Sequence, residues 1–250
     1  MQYRLITLLS LLVVTLIAVA GGKKVLFIGD SITDGAWGNS KVWNTPSEER
    51  NQTDMNHIYG HGYMMIAASH YQGLYPEQDF TFWNRGISGN TLNDIAARWE
   101  KDALSLQPDV ISLLVGTNDV EQALNQGQVI DPEAWGQQLC SLFDRARLAN
   151  PSVQFVLCTP FVAKAGRRGE ESNYPQREQM IASLTVVLQE VAQKYAAVVV
   201  PFSDLVAETI SAHPEQPVSY WIWDGIHPTS AMHYRMATLW ISATESLLLE

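Results

Sequence analysis

The chain has 250 residues, a formal charge of −10 and 46% hydrophobic residues. This length and composition predict one large α/β domain with a sizeable core, or two small domains. The negative charge argues against a nucleic-acid-binding protein, which needs basic residues to neutralise phosphates, and against adhesion to anionic membrane surfaces.

Residues 1–22 differ in kind from the rest of the chain. Arg4 gives this segment a positive start, residues 5–20 are mostly apolar, and residues 18–20 fit a small-x-small cleavage site. The pattern predicts a secretory signal peptide; an uncleaved anchor is the alternative, although about 16 apolar residues are few for a membrane span. We therefore expect a secreted or periplasmic protein, a mature domain over residues 23–250, and no stable membrane association after cleavage.

The mature sequence alternates between strand and helix patterns. Val25 to Ile28 is a short apolar run that ends at Gly29, which is typical of a buried parallel strand followed by a tight turn. Repeated alternation predicts parallel strands joined by right-handed crossovers, with helices on both faces. The expected fold is a single-domain, three-layer α/β/α sandwich. Strands are expected at 24–28, 79–83, 110–115, 153–158 and 198–200, and helices at 59–71, 91–104, 133–149, 175–196, 204–212 and 229–248.

Two long polar loops interrupt this alternation, at residues 34–56 and 161–174. Both exceed the usual length of loops in α/β proteins, which indicates a functional surface or an insertion. The first contains a glycosylation sequon at residues 51–53, which has meaning only in a eukaryotic secretory pathway. Whether the first loop closes over a site is left open.

The mature chain has two cysteines, Cys140 and Cys158. Export would permit a disulfide, and the predicted helix and strand that carry them could bring them together. Two unpaired, buried thiols are the favoured interpretation.

Polar segments follow three predicted strands, at Ser31, at residues 84–91 and at residues 116–119. Because the carboxyl ends of parallel strands lie at the same end of the sheet, we expect the side chains of these segments to lie close together. A fourth polar segment, residues 224–227, lies near the C-terminus.

These four segments contain the residue types that an acyl-transfer site needs. A serine hydroxyl such as that of Ser31 needs an adjacent base, and His227 can supply one. Asp224 precedes His227 by three residues and can orient the imidazole ring. Plausible donors to an oxyanion are the backbone N–H groups of Ser31 and Gly89 and the side-chain amide of Asn118.

Together these segments resemble the sequence blocks of the SGNH, or GDSL, hydrolase family over residues 24–249. The resemblance implies a flavodoxin-like sheet of five parallel strands and serine ester hydrolysis that uses no metal and no other cofactor. It implies a nucleophile, also an oxyanion donor, at Ser31, further oxyanion donors at Gly89 and Asn118, a base at His227 and its orienting acid at Asp224. Gly86, in the same block as Gly89, is the alternative donor. The blocks as they stand here are Gly29-Asp30-Ser31-Ile32-Thr33, Asn84 to Thr91, Gly116-Thr117-Asn118-Asp119 and Asp224-Gly225-Ile226-His227-Pro228.

Two further groups are interpreted as structural. Asp30 and Asp119 are expected to fix turns rather than to react. His57 and His61 are spaced like a helical metal pair, but no third ligand accompanies them, and hydrogen-bonded structural histidines are favoured.

Two sets of residues near the motifs, three tryptophans and two arginines, each have two interpretations. Trp37, Trp221 and Trp223 either stack on sugar rings or pack in the core. Arg167 and Arg168 could meet an anionic substrate, although a solvated turn is favoured.

The prediction is a secreted serine esterase that removes O-acetyl groups from a carbohydrate, so the expected partner is a small-molecule or polysaccharide ester. Export, the acidic chain, the polar loops and the nearby tryptophans favour a glycan. The alternatives are a lipid or lysophospholipid acylhydrolase or thioesterase, and an inactive carbohydrate-binding protein on the same fold. The oligomeric state is left open.

Overall fold

The structure is a computed structural model and describes residues 22–249, so the predicted signal peptide lies almost wholly outside the described residues. The strands are β1 (Lys24–Gly29), β2 (Thr81–Gly86), β3 (Val110–Leu114), β4 (Gln154–Cys158) and β5 (Val198–Val200). The helices are α1 (Ser31–Asp34), α2 (Tyr63–Leu74), α3 (Leu92–Ala97), α4 (Trp99–Asp102), α5 (Thr117–Asn125), α6 (Pro132–Ala149), α7 (Gly166–Glu170), α8 (Tyr174–Tyr195), α9 (Phe202–Ala212) and α10 (Ser230–Leu249).

The five strands form one parallel sheet in the order β2-β1-β3-β4-β5. Gly29, at the end of β1, pairs with Gly86 of β2 on one side and with Leu114 of β3 on the other. The carboxyl ends of these three strands therefore lie level with one another, at one edge of the sheet. The predicted single-domain α/β fold with a five-stranded parallel sheet is confirmed.

Alternate residues of β1 supply two separate cores, as the two-residue period of a strand requires. Val25 and Phe27 belong to a core that α2, α9 and α10 cover, and Leu26 and Ile28 belong to a core that α4, α6 and α8 cover. All four side chains have no exposed surface. This burial on both faces explains why β1 is a continuous apolar run rather than an alternating one.

The polar segments hold more helix than the sequence pattern predicts. Residues 117–125 form α5 directly after β3, and residues 166–170 form α7 inside the second polar loop. The predicted helix at 59–71 begins instead at Tyr63, because Gly60 and Gly62 have positive φ angles of 69° and 138°. The predicted helix at 91–104 is divided at Arg98, whose guanidinium reaches back to the end of β1.

The two cysteines are free thiols and contact different cores. Cys158 is buried with β1, α2 and α10, whereas Cys140 is half-buried against the core on the other face of the sheet. Within residues 22–249, no helix combines the length and the apolar composition that a membrane span needs.

Candidate active site

The turn after β1 sets the position of Ser31. Ser31 is the first residue of α1, and the carboxylate of Asp30 caps this helix by accepting the backbone N–H of Ile32 at 3.0 Å. Burial raises the pKa of Asp30 to about 7. The backbone N–H of Ser31 has no intrahelical acceptor, as for any residue in the first turn of a helix. Asp30 therefore has the structural role expected from the sequence.

Ser31, His227 and Asp224 form a continuous line of hydrogen bonds. The Ser31 Oγ atom lies 2.8 Å from His227 Nε2, and His227 Nδ1 lies 2.8 Å from Asp224 Oδ2. A carboxylate accepts only, so Nδ1 carries the proton and Nε2 is left as the acceptor for the Ser31 hydroxyl. This arrangement can withdraw the proton of the serine hydroxyl as the oxygen attacks.

The loop before α10 holds Asp224 in its ionised form. Its Oδ1 accepts the backbone N–H groups of Ile226 and His227 at 3.0 and 2.8 Å. Partial burial alone would raise the pKa of Asp224, but the hydrogen bonds from the His227 side chain and from these two N–H groups outweigh it. The net result is a pKa well below the usual range.

Asn118 is hydrogen-bonded to the loop that carries Gly89. Asn118, the second residue of α5, donates from Nδ2 to the backbone oxygen of Asn90 at 3.2 Å, which ties it to the residue after Gly89. The Asn118 amide has a second N–H, which this bond leaves available. The backbone N–H of Gly86, the alternative considered from the sequence, donates to Asn84 Oδ1 at 2.8 Å. The Gly86 N–H is therefore already bonded to a side chain of its own strand.

Two arginines, of which Arg50 is buried and Arg98 half-buried, fix the loop that carries Gly89. Arg98 donates to Asn90 Oδ1 at 2.7 Å and to the backbone oxygen of Gly29 at 3.2 Å, so it joins this loop to the end of β1. Arg50 pairs with Asp34, whose Oδ2 also accepts the backbone N–H and the hydroxyl of Ser88 at 2.8 Å. Sequence patterns give no signal for these contacts, since the partners lie 8 to 69 residues apart in loops and at element ends.

The loop at residues 34–56 is packed onto the sheet at its base. Trp37 is buried, donates from Nε1 to the Gly86 oxygen at 2.8 Å, and has the guanidinium groups of Arg50 and Arg85 4.7 and 4.8 Å from its ring centroid. Trp37 is therefore a core residue and not a sugar platform. At the tip of the same loop Trp43 is 68% exposed and lies over Gly89. Sequence analysis missed Trp43, which stands in a stretch without periodicity.

The other two candidate tryptophans differ from each other. Trp221 is 6% exposed and packs in the core, whereas Trp223 is 59% exposed. The Trp223 ring is stacked near His227, with centroids 6.3 Å apart and an interplanar angle of 26°. Only Trp223, of the three tryptophans named from the sequence, is free to contact a ligand beside the site.

The two adjacent arginines, Arg167 and Arg168, have different surroundings. Arg167 is 81% exposed, but Arg168 donates to Asp224 Oδ2 and to Glu121 Oε2, each at 3.2 Å. The expectation that both lie in a solvated turn was wrong for Arg168, because α7 turns its side chain towards Asp224.

The remaining polar candidates are structural. His57 pairs with Asp54 at the surface, and neither His57 nor His61 lies on a helix, since α2 starts at Tyr63. Within the described part of the chain, no group of three or more His, Cys, Asp or Glu residues could hold a metal ion. Asp119 accepts the backbone N–H of Leu92 and the Nε1–H of Trp135, each at 3.0 Å, and so joins α5 to α3 and α6.

Comparison with known proteins places this chain in a family. The GDSL-like Lipase/Acylhydrolase family profile matches residues 27–235. An acetylxylan esterase of Geobacillus stearothermophilus is 30% identical over 221 residues, which are 88% of this chain and 92% of the esterase. A solved structure of a Geobacillus stearothermophilus acetylxylan esterase covers 89% of this chain and 94% of its own, with 25% identity and a TM-score of 0.69. A proposed GDSL-like lipase from Parabacteroides merdae covers 90% of this chain and 96% of its own, with 28% identity and a TM-score of 0.75.

Proposed function

The chain belongs to the GDSL-like lipase/acylhydrolase family and is an ester-hydrolysing enzyme, and we propose that it removes O-acetyl groups from a carbohydrate through Ser31, His227 and Asp224. The observation that carries the assignment of residues is the line of hydrogen bonds from Ser31 Oγ to His227 and on to Asp224, at 2.8 Å each. The enzymatic assignment leaves the inactive binding-protein alternative without support.

The reaction has two steps. The Ser31 oxygen attacks the ester carbonyl while His227 takes the serine proton at Nε2, and the resulting imidazolium is stabilised by Asp224. When the tetrahedral intermediate collapses, the ester C–O bond breaks and His227 returns the proton to the leaving alcohol. Water, deprotonated by His227, then cleaves the acyl-serine and releases the acid.

The developing oxyanion needs donors that are already in place. The backbone N–H groups of Ser31 and Gly89 and the free N–H of Asn118 supply them in this proposal. Arg98, Asp34 and Arg50 hold the loop that carries Gly89 by contacts already made in the free enzyme. Such preorganisation lowers the reorganisation cost of the chemical step.

The position of Trp223 favours a sugar as the leaving alcohol. His227 delivers its proton to the alcohol oxygen, so the alcohol must lie on the His227 side of the site. The exposed Trp223 ring is stacked near His227 on that side, and aromatic faces pack well against the apolar faces of sugar rings. The relatedness to an acetylxylan esterase supports the same substrate class.

An ester series with a nucleophile control tests this proposal. We expect the mature protein to prefer p-nitrophenyl acetate over longer acyl chains and to release acetate from acetylated xylan, and Ser31→Ala to abolish both activities. Ser105→Ala is the matched control, because Ser105 is exposed and precedes β3, at the edge of the sheet opposite to the site. Preference for chains of about eight carbons or more would instead assign a lipid acylhydrolase.

We also propose that the protein is exported, on the basis of the signal pattern in residues 1–22. Expression of the full chain in a secreting host, followed by mass spectrometry of the product, tests this. Cleavage near residues 20–22 is expected, and a product that retains Arg4 would contradict it.

A further inference from the structure

Arg168 contacts the same carboxylate oxygen that orients His227. Its Nη1 lies 3.2 Å from Asp224 Oδ2, and this oxygen also accepts the Nδ1–H of His227 at 2.8 Å. The imidazole and the guanidinium therefore share one negative charge. The Arg168 side chain is 24% exposed, so solvent screens this contact only in part.

Two carboxylates, those of Asp224 and Glu121, accept hydrogen bonds from Arg168. Its Nε donates to Glu121 Oε2 at 3.2 Å, and the other Glu121 oxygen pairs with Arg177 on α8. Arg177 also pairs with Glu171 at 2.7 Å, so a chain of ion pairs runs from Asp224 through Arg168, Glu121 and Arg177 to Glu171. Glu121 lies one turn after Asn118 on α5, which links the helix of the oxyanion donor to the acid of the triad.

Backbone packing holds α7 against the loop that carries Asp224. Gly225 has φ of +96°, and a Cβ atom there would lie 2.9 Å from the Ala165 oxygen and 3.1 Å from Arg168 Cβ. The backbone N–H of Ala163 also donates to the Gly225 oxygen at 2.9 Å. The Arg168 contact with Asp224 is therefore built into the packing of the two loops.

We propose that Arg168 is a positioning residue that extends the activity of the enzyme to lower pH by sharing the Asp224 carboxylate with His227. This inference rests on the proposed triad. A cation beside Asp224 reduces the attraction between this carboxylate and an imidazolium, so Arg168 limits how strongly Asp224 stabilises the charged form of the ring. Without Arg168, the whole charge of Asp224 acts on the imidazolium, so we expect activity to be lost at a higher pH than in wild type.

Other charged groups face His227, and each stays the same when Arg168 is changed. Asp30 lies at the end of β1, and its charge interacts with that of His227. His233 lies on α10, and its burial, followed by the charges of His61 and His227, lowers its pKa to about 4. The difference between wild type and an Arg168 variant therefore isolates the guanidinium.

The test is the pH profile of kcat/KM for p-nitrophenyl acetate. We expect Arg168→Gln to move the acid limb to higher pH by roughly half a unit to one unit. The plateau at high pH should stay within about threefold of wild type, because two backbone N–H groups still hold Asp224 Oδ1. Arg168→Lys keeps the charge, and its acid limb should stay within about 0.2 unit of the wild-type position.

Arg167→Gln is the matched control, since Arg167 is adjacent, 81% exposed and paired with Glu171. Its acid limb should not move. A fall in the Arg168→Gln plateau without a shift of the limb would overturn the inference, as would equal shifts in Arg168→Gln and Arg168→Lys, or an equal shift in Arg167→Gln. Thermal unfolding of each variant verifies folding, and Glu121 keeps Arg177 as a partner in Arg168→Gln.

Failure of the proposed triad gives a different result. Retained activity in Ser31→Ala would reject the triad itself. A dead Ser31→Ala with an unshifted Arg168→Gln would reject the inference alone.

Discussion

The indole ring of Trp43 covers Gly89. A Cβ atom built on Gly89 would lie 2.7 Å from Trp43 Cζ2 and 2.8 Å from Cη2, and Gly89 has φ of +83°. Backbone strain and the ring contact therefore each disfavour a side chain at position 89. Trp43 is still 68% exposed, so the covering ring forms part of the surface beside the proposed oxyanion donor.

The first prediction separates the two constraints on Gly89. Gly89→Ala should lower kcat/KM for p-nitrophenyl acetate by roughly 100-fold, because it displaces a preorganised N–H donor. Trp43→Ala alone should change this value by less than about threefold. The variant that combines Gly89→Ala with Trp43→Ala lacks the ring contact, so it should recover the part of kcat/KM that this contact costs. The part of kcat/KM that it does not recover measures the strain of alanine at positive φ. Near wild-type activity in Gly89→Ala would remove Gly89 from the proposed site.

A second prediction concerns the side-chain donor. Asn118→Ala should lower kcat by roughly 100-fold to 1000-fold with little change in KM, because the lost hydrogen bond forms to the oxyanion and not to the ground-state ester. Asn125→Ala is the control, since Asn125 is exposed at the end of the same helix. Steady-state kinetics on p-nitrophenyl acetate provide the measurement. A rise in KM alone would indicate substrate binding rather than oxyanion stabilisation.

Local patterns predicted the fold and the centre of the site. The apolar runs at β1 and β3 reveal buried parallel strands, and parallel pairing aligns their carboxyl ends at one edge. Ser31 and Asn118 follow these two strands directly, which is why their positions could be inferred from the sequence.

The supporting contacts could not be predicted from local patterns. Arg168 meets Asp224 across 56 residues, and Asp34 meets Ser88 across 54. Trp43 stands in a loop without periodicity, so nothing in the sequence indicates that its ring covers Gly89. Such contacts depend on how loops pack on the finished sheet, and a charged or aromatic residue in a polar segment is compatible with many partners.

A third prediction tests the proposed sugar contact of Trp223. Trp223→Ala should raise KM for acetylated xylo-oligosaccharides by roughly threefold to tenfold, because the loss of one stacking contact weakens substrate binding by about this factor. Ethyl acetate has no ring in its leaving alcohol, so its hydrolysis should change by less than about twofold. The two substrates are compared in the same preparation, with Trp223→Phe as the conservative variant. Equal losses on both substrates would indicate a role in supporting His227 instead.

The last prediction concerns the buried carboxyl of Asp119 and stability. Asp119 Oδ1 accepts two hydrogen bonds, but the buried Oδ2 has no partner within residues 22–249. Burial raises the pKa of Asp119 from 3.8 to about 6. The folded state thus holds this proton more tightly than the unfolded state, so the stabilisation is complete below about pH 3.8 and is lost as pH rises through about 6.

Asp119→Asn removes this ionisation and keeps the shape of the side chain. The free energy of unfolding of Asp119→Asn minus that of wild type should increase by roughly 2–3 kcal/mol from pH 4 to pH 7. Urea denaturation of both proteins at each pH provides the measurement. Burial also raises the pKa of Asp30, to about 7, and the charge of Asp119 adds to this rise, so removing that charge changes the difference between the two proteins in the same direction. Asp204→Asn, at an exposed position in the first turn of α9, reports the effect of removing a surface charge. A difference between Asp119→Asn and wild type that does not vary with pH would show that Asp119 ionises in the folded protein as it does in the unfolded chain.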